Sequence, residues 1–219
     1  MTNSVLGVRT IQHTNGTDAI NIASDGAVTF PGASAATYRP GEIIEMLSHS
    51  CDGTTMTGTG NRTYTWPNVT AILAMTTSYQ DITGSSITYT PPTGTKTVLY
   101  RFVWKWQDDA LGGISHWRFM IDSTEVISAY RCIAMQYESN AHGEIMQVFE
   151  HTIDCAAAST DASAAKFESW TSDKTLKWQG REYGSGYQAS AHKNTWRDAG
   201  SASGAYAIAV PTLTITAIA

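Results

Sequence analysis

Hydrophobic and polar residues alternate with a period of two through much of this chain. The clearest run lies in ITYTPPTGTKTVLYRFVWKW. There Val98, Tyr100, Phe102, Trp104 and Trp106 fall on one face, and Leu99, Arg101, Val103 and Lys105 on the other. Alternation over nine residues predicts a half-buried strand, because successive strand side chains point to opposite faces. Pro91-Pro92-Thr93-Gly94 sets a turn before it and stops it extending backward. In HWRFMIDSTEVISAYRCIAM, Trp117, Phe119 and Ile121 alternate, Asp122-Ser123-Thr124 makes a tight turn, and a strand resumes at Val126. GEIMQVFEHTI places Ile145, Gln147, Phe149 and His151 on one side. TLKWQGREYG and AYAIAVPTLTITAIA supply two more strands, Leu213, Ile215 and Ala217 sharing a face of the last.

Two stretches read less simply. Glu42 to Ser50 fits strand or helix, and the Thr/Gly-rich sequence after it favours strand. Cys155 to Trp170 is Ala-rich and suggests a short helix, although its Ser, Thr and Asp dilute the propensity. Seven or more short strands with Gly/Pro/Ser turns predict an all-β chain built as a β-sandwich or jelly roll.

The N-terminal part differs. In NGTDAINIASDGAVTFPG, Ile20 and Ile22 alternate with polar residues, Ser24-Asp25-Gly26 turns, and Val28 and Phe30 alternate again. That is a β-hairpin. A small-residue linker, Pro31 to Pro40, follows, and from Tyr38 the chain is richer in aromatics. The division expected is a hairpin segment over residues 1–36 and a sandwich over 37–219. A lone hairpin buries too little apolar surface to offset its ordering entropy. With no local partner in the pattern, Ile20, Ile22, Val28 and Phe30 are therefore candidate contacts to other copies of the chain or to an anchoring protein.

Composition narrows the function. Only 15% of the 219 residues are charged, the formal net charge is −5, and the positive residues are scattered. Nucleic-acid binding needs a basic stripe, and none is present. No signal pattern opens the chain and no apolar run reaches the length of a membrane span, so a soluble protein is expected. Cys51, Cys132 and Cys155 are odd in number and widely spaced. They fit neither a disulfide framework nor a zinc site and read as reduced, mostly buried thiols of a protein assembled in a reducing cytoplasm.

No catalytic residue is expected. His13, His49, His116, His142, His151 and His192 form no metal-ligand spacing, and the sequence implies neither metal nor cofactor. Glu150 and His151 are neighbours on one strand and so point apart. Asp108-Asp109 reads as a solvated loop. No nucleophile elbow, P-loop or dinucleotide fingerprint occurs. The Asn-x-Thr triplets at Asn15, Asn61 and Asn68 are expected by chance in so Thr-rich a chain. The seven Trp and the aromatic C-terminal run REYGSGYQASAHKNTW allow two readings. The simpler is core and inter-subunit packing. The other makes Tyr183, Tyr187 and Trp196 a surface for glycans, since a flat ring offers apolar contact while its rim hydrogen-bonds.

IQHTNGTDAINIASDGAVTFPG resembles a short N-terminal element of structural proteins from marine and cyanobacterial tailed phages. HWRFMIDSTEV, REYGSGYQASAHKNTWRDAG and PTLTITAIA resemble stretches of the β-sandwich domain that follows it there. This chain departs in having Ser123 in the first turn, where Gly is expected, and an extra Arg197 between Trp196 and Asp198. The resemblance implies a jelly-roll trimer of the tumour-necrosis-factor type on the virion surface, as a capsid decoration or a head or tail fibre, without catalytic activity. Its expected partners are its own copies, another virion structural protein reached through the N-terminal segment, and host surface glycans. A free-standing carbohydrate-binding module is the alternative, and a glycan-degrading tailspike a further one.

Overall fold

The computed structural model describes residues 10–12, 18–22, 24–25, 28–29, 38–135, 143–197, 200–201 and 203–219. The chain divides into two compact units, Met1–Arg39 and Pro40–Ala219.

In the first unit, β1 (Thr10–Gln12), β2 (Asp18–Ile22) and β3 (Val28–Thr29) form an antiparallel sheet in that order. The β2–β3 pairing, Asn21 opposite Thr29 and Ile22 opposite Val28, is the hairpin expected from the alternation. The strand β1 was not expected. It sets Ile11 opposite Ile20, so Ile20 does have a cross-strand neighbour in its own chain, and both Ile20 and Ile22 are half-buried. The Val28 side chain and Phe30 lie outside the described residues.

The second unit runs β4 (Ile43–Ser50), β5 (Thr55–Thr57), β6 (Thr63–Thr65), β7 (Leu73–Ala74), β8 (Gln80–Asp81), β9 (Ile87–Tyr89), β10 (Thr97–Asp108) and β11 (Ser115–Ile121). It continues with β12 (Thr124–Ile133), β13 (Glu144–Asp154), β14 (Lys174–Glu182), β15 (Ala189–Ala191), β16 (Trp196–Arg197), β17 (Gly200–Ser201) and β18 (Thr212–Ile218). Glu42 to Ser50 is thus resolved as strand. The Ala-rich stretch holds only a 3-10 turn, Ala162–Ala164, capped by Asp161 and ended by Ala165 with φ of 55°. Burial explains the failure of the longer helix: Cys155, Ala165, Phe167 and Trp170 all turn into the core at a spacing no single helix face provides.

Two antiparallel sheets pack face to face as an all-β sandwich. β10 is long enough to carry two partners in series. β13 pairs with it from Thr97 to Gln107, while β18 and then β15 line its other side, followed outward by β4 and β7. The second sheet is ordered β12-β11-β14, with β9 and β8 in series beyond β14.

The core between them is aromatic. Tyr100, Phe102, Trp104 and Phe149 come from the first sheet, and Trp117, Phe119 and Trp178 from the second. Ring centroids lie 4.8 Å apart for Trp104–Trp117, 5.3 Å for Trp104–Phe149 and 4.3 Å for Phe149–Trp178. Tilted pairs at such distances each add about 0.5–1.5 kcal/mol beyond their burial. Two indoles share one hydroxyl: Trp106 and Trp117 donate their Nε1–H to Ser115 Oγ at 3.1 and 3.0 Å. Gly180 sits against the flat of Trp117, where a Cβ would stand inside the ring's van der Waals envelope.

Candidate functional site

Strand alternation gives the β11–β12–β14 sheet two faces of different chemistry. Trp117, Phe119 and Trp178 point inward, and His116, Arg118, Lys177, Gln179 and Arg181 point outward between them. A bulge in β12, where the register jumps between Trp117–Arg131 and Phe119–Val126, swings Tyr130 beside His116. Tyr130 Oη and His116 Nδ1 share a 2.8 Å hydrogen bond. The loop after β14 adds Tyr183, 5.9 Å from the His116 ring, and Tyr187 at 5.3 Å edge-on to Tyr183. Tyr79, just before β8, completes the face: the Arg118 guanidinium lies 4.0 Å from its ring and that of Arg181 5.4 Å.

The cations on this face differ in how they are balanced. Arg118 donates to Glu125 Oε2 at 2.9 Å and to Gln179 Oε1 at 2.9 Å. Lys177 donates to Asp81 Oδ2 at 2.8 Å. Arg181 donates to the Glu182 carbonyl at 3.0 Å, and no carboxylate of the described residues lies within ion-pair distance of it. Burial, and after it the Arg181 charge, holds the His116 imidazole below its ordinary pKa. Burial and the neighbouring Tyr79 raise the Tyr130 phenol.

Of the residues singled out from the sequence, Tyr183 and Tyr187 fall on this face. Tyr183 is 59% exposed, so it does not pack in the core of its own chain. Trp196 forms a short β16–β17 pair opposite Ser201, and its side chain lies outside the described residues. His192 belongs to the core instead. It is fully buried in a left-handed conformation (φ 66°), donates from Nε2 to the Thr83 carbonyl at 2.8 Å, and lies edge-on to Phe102 and Trp104. Burial depresses its pKa to about 4, against the small opposing effect of the Thr83 carbonyl. His116, Arg118 and Tyr79 were not singled out for this face, and Arg181 entered only as the first residue of the aromatic run. The alternation of His116 and Arg118 with Trp117 and Phe119 was the available signal.

Asp108 and Asp109 are not a solvated loop: Asp108 is buried, and Asp109 accepts from Lys193, Ser190 and, at 2.8 Å, Gln107. Glu182, 6% exposed, is raised above the usual carboxylate range by burial and then by Asp109, and accepts from Ala189 N–H at 3.3 Å. A pair of neighbouring carboxyls is the arrangement that glycoside hydrolysis uses. Here Asp109 is paired with Lys193, and Glu182 is buried. Glu150 and His151 separate as expected, Glu150 outward to Arg101 at 3.6 Å and His151 inward against Phe119. Among the described residues no three His, Cys, Asp or Glu side chains converge as metal ligands, and no helix is long and apolar enough to cross a membrane. Cys51 and Cys155 are buried, which pushes their thiols up to about 12, while Cys132 is exposed.

No family model matches the chain, and no curated protein matches it. Among solved structures it is similar to that of infectious bursal disease virus Gx strain, at 9% identity and a TM-score of 0.26 over 93% of this chain and 68% of that one. It is also similar to that of the Gt strain, at 10% identity and a TM-score of 0.23, covering 92% of this chain and 46% of that one. The chain thus spans less than half the length of the latter.

Proposed function

We propose that this chain is a non-enzymatic surface protein of a tailed-phage virion, a trimeric capsid decoration or a head or tail fibre, whose outer sandwich face meets host surface glycans. The observation that carries the recognition part is the tyrosine-rich face of the β11–β12–β14 sheet. Tyr130 and Tyr183 stay exposed on a rigid support, offering flat apolar rings with hydroxyl rims. The virion assignment is supported by the resemblance of this chain's motifs to those of marine and cyanobacterial phage structural proteins and by the all-β sandwich. In this reading residues 1–36 join three copies or dock on another virion structural protein, and assembly takes place in the host cytoplasm.

Light scattering after size exclusion tests the trimer. A solution mass three times the 23.7 kDa of one chain is expected. A monomer overturns the trimer and favours a free-standing carbohydrate-binding module, which the same tyrosine face would serve. Deleting residues 1–36 weakens self-association if they form a stalk and leaves it unchanged if they only dock. Release of reducing ends from host polysaccharide would overturn the non-enzymatic reading.

A further inference from the structure

We infer that the tyrosine–arginine face selects an anionic sugar, with the Arg181 guanidinium engaging its carboxylate or sulfate group and Tyr183 packing against the sugar ring. This deepens the glycan-contact reading and rests on it.

The chain as a whole is acidic, with a net charge of −5, yet this face carries Arg118, Lys177 and Arg181, and the two arginines lie against one tyrosine ring. Glu125 and Asp81 answer the first two. Arg181 has no acid of the described residues to answer it, although Arg118 shares the Tyr79 ring with it. Two guanidiniums against one ring repel each other, and the Glu125 carboxylate offsets only Arg118. The half-buried position of Arg181 reduces the screening that water would otherwise supply, so an incoming oxyanion gains more there than at a fully exposed side chain. A guanidinium presents a planar fork of N–H donors that matches a carboxylate or sulfate edge.

The neighbours point to a sugar as the carrier of that anion. His116 beside Arg181 and the Tyr130 hydroxyl supply donors and acceptors at the base of the face. Tyr183, edge-on to Tyr187, supplies the exposed ring. A polyanion such as nucleic acid needs several phosphate contacts to bind at physiological salt, and one unanswered guanidinium among neutralised cations does not provide them. A single acidic saccharide unit needs only one.

Calorimetric titration of the intact protein with three probes tests this: trigalacturonic acid, a sulfated galactan trisaccharide and neutral galactotriose. Binding of one or both acidic probes, with the neutral one at least about tenfold weaker, is expected, and the acidic probe that binds identifies the group recognised. Arg181→Gln should weaken acidic binding about tenfold and leave the neutral probe unchanged. Tyr183→Ala, at an exposed site that leaves folding intact, should weaken every probe that binds. Equal binding of neutral and acidic probes, or acidic binding unaltered in Arg181→Gln, overturns the charge inference and leaves the glycan-contact reading standing. Binding of none of the three overturns both.

Discussion

The two faces of the β11–β12–β14 sheet are made by the same strands and obey opposite rules. Trp117 and His116 are sequence neighbours, yet one is locked between Trp104 and Phe149 while the other lies open beside Tyr130 and Tyr183. On the inner face every ring is held by several others, so identity and shape are both constrained. On the outer face the side chains touch one another and water, and substitution there costs the fold little. A rigid inner face therefore frees the outer one to be specified by what it meets.

Substitutions on the two faces should separate stability from binding. The largest effect is expected at Trp104→Ala, which empties the centre of the aromatic core and should cost about 3–5 kcal/mol in urea unfolding. Acid should come next, through His192. Its pKa is about 4 in the folded protein, below the ordinary 6.5, so the unfolded chain binds the extra proton first. The stability is thus complete above pH 6.5 and is lost as pH falls toward 4, on the order of 3 kcal/mol in all. A pH series of unfolding midpoints for the protein and for His192→Asn, which keeps a residue tolerant of positive φ, should show the slope only in the former. Gly180→Ala should cost about 1–3 kcal/mol, because the added methyl meets the rigid Trp117 ring. Smallest is Tyr183→Ala, with a change in stability below about 0.5 kcal/mol. A loss at Tyr183 comparable to that at Trp104 would mean that the outer face holds the fold as the inner one does.

The sandwich was largely legible because its strands are amphipathic at period two. The alternation over Val98–Trp106 placed five core side chains correctly, and that over Ile145–His151 placed four on the inner face of β13. What was not legible depends on long-range pairing. Nothing near Asp109 in sequence shows that Lys193 and Ser190 will reach it from more than 80 residues away. The same holds for Tyr79, which is distant from Arg181 in sequence and meets it through the pairing of β8 with β14. The first strand, β1, was missed because three residues are too short for alternation to register. Tyr183 and Tyr187 were found by residue type. His116 and Arg118 were not legible as part of the outer face because period two says which residues share a face and not which face stays open.

The uneven burial of the three thiols has a practical consequence. Cys132 stands opposite His116 on the outer face, whereas Cys51 and Cys155 are enclosed and stay protonated. A maleimide dye should therefore attach to the native protein once per chain, and the other two sites should react only after denaturation, which mass spectrometry would count. The dye would then sit a few side chains from Arg181. Occupancy of the face becomes readable as a change in emission, without altering a residue of the natural sequence.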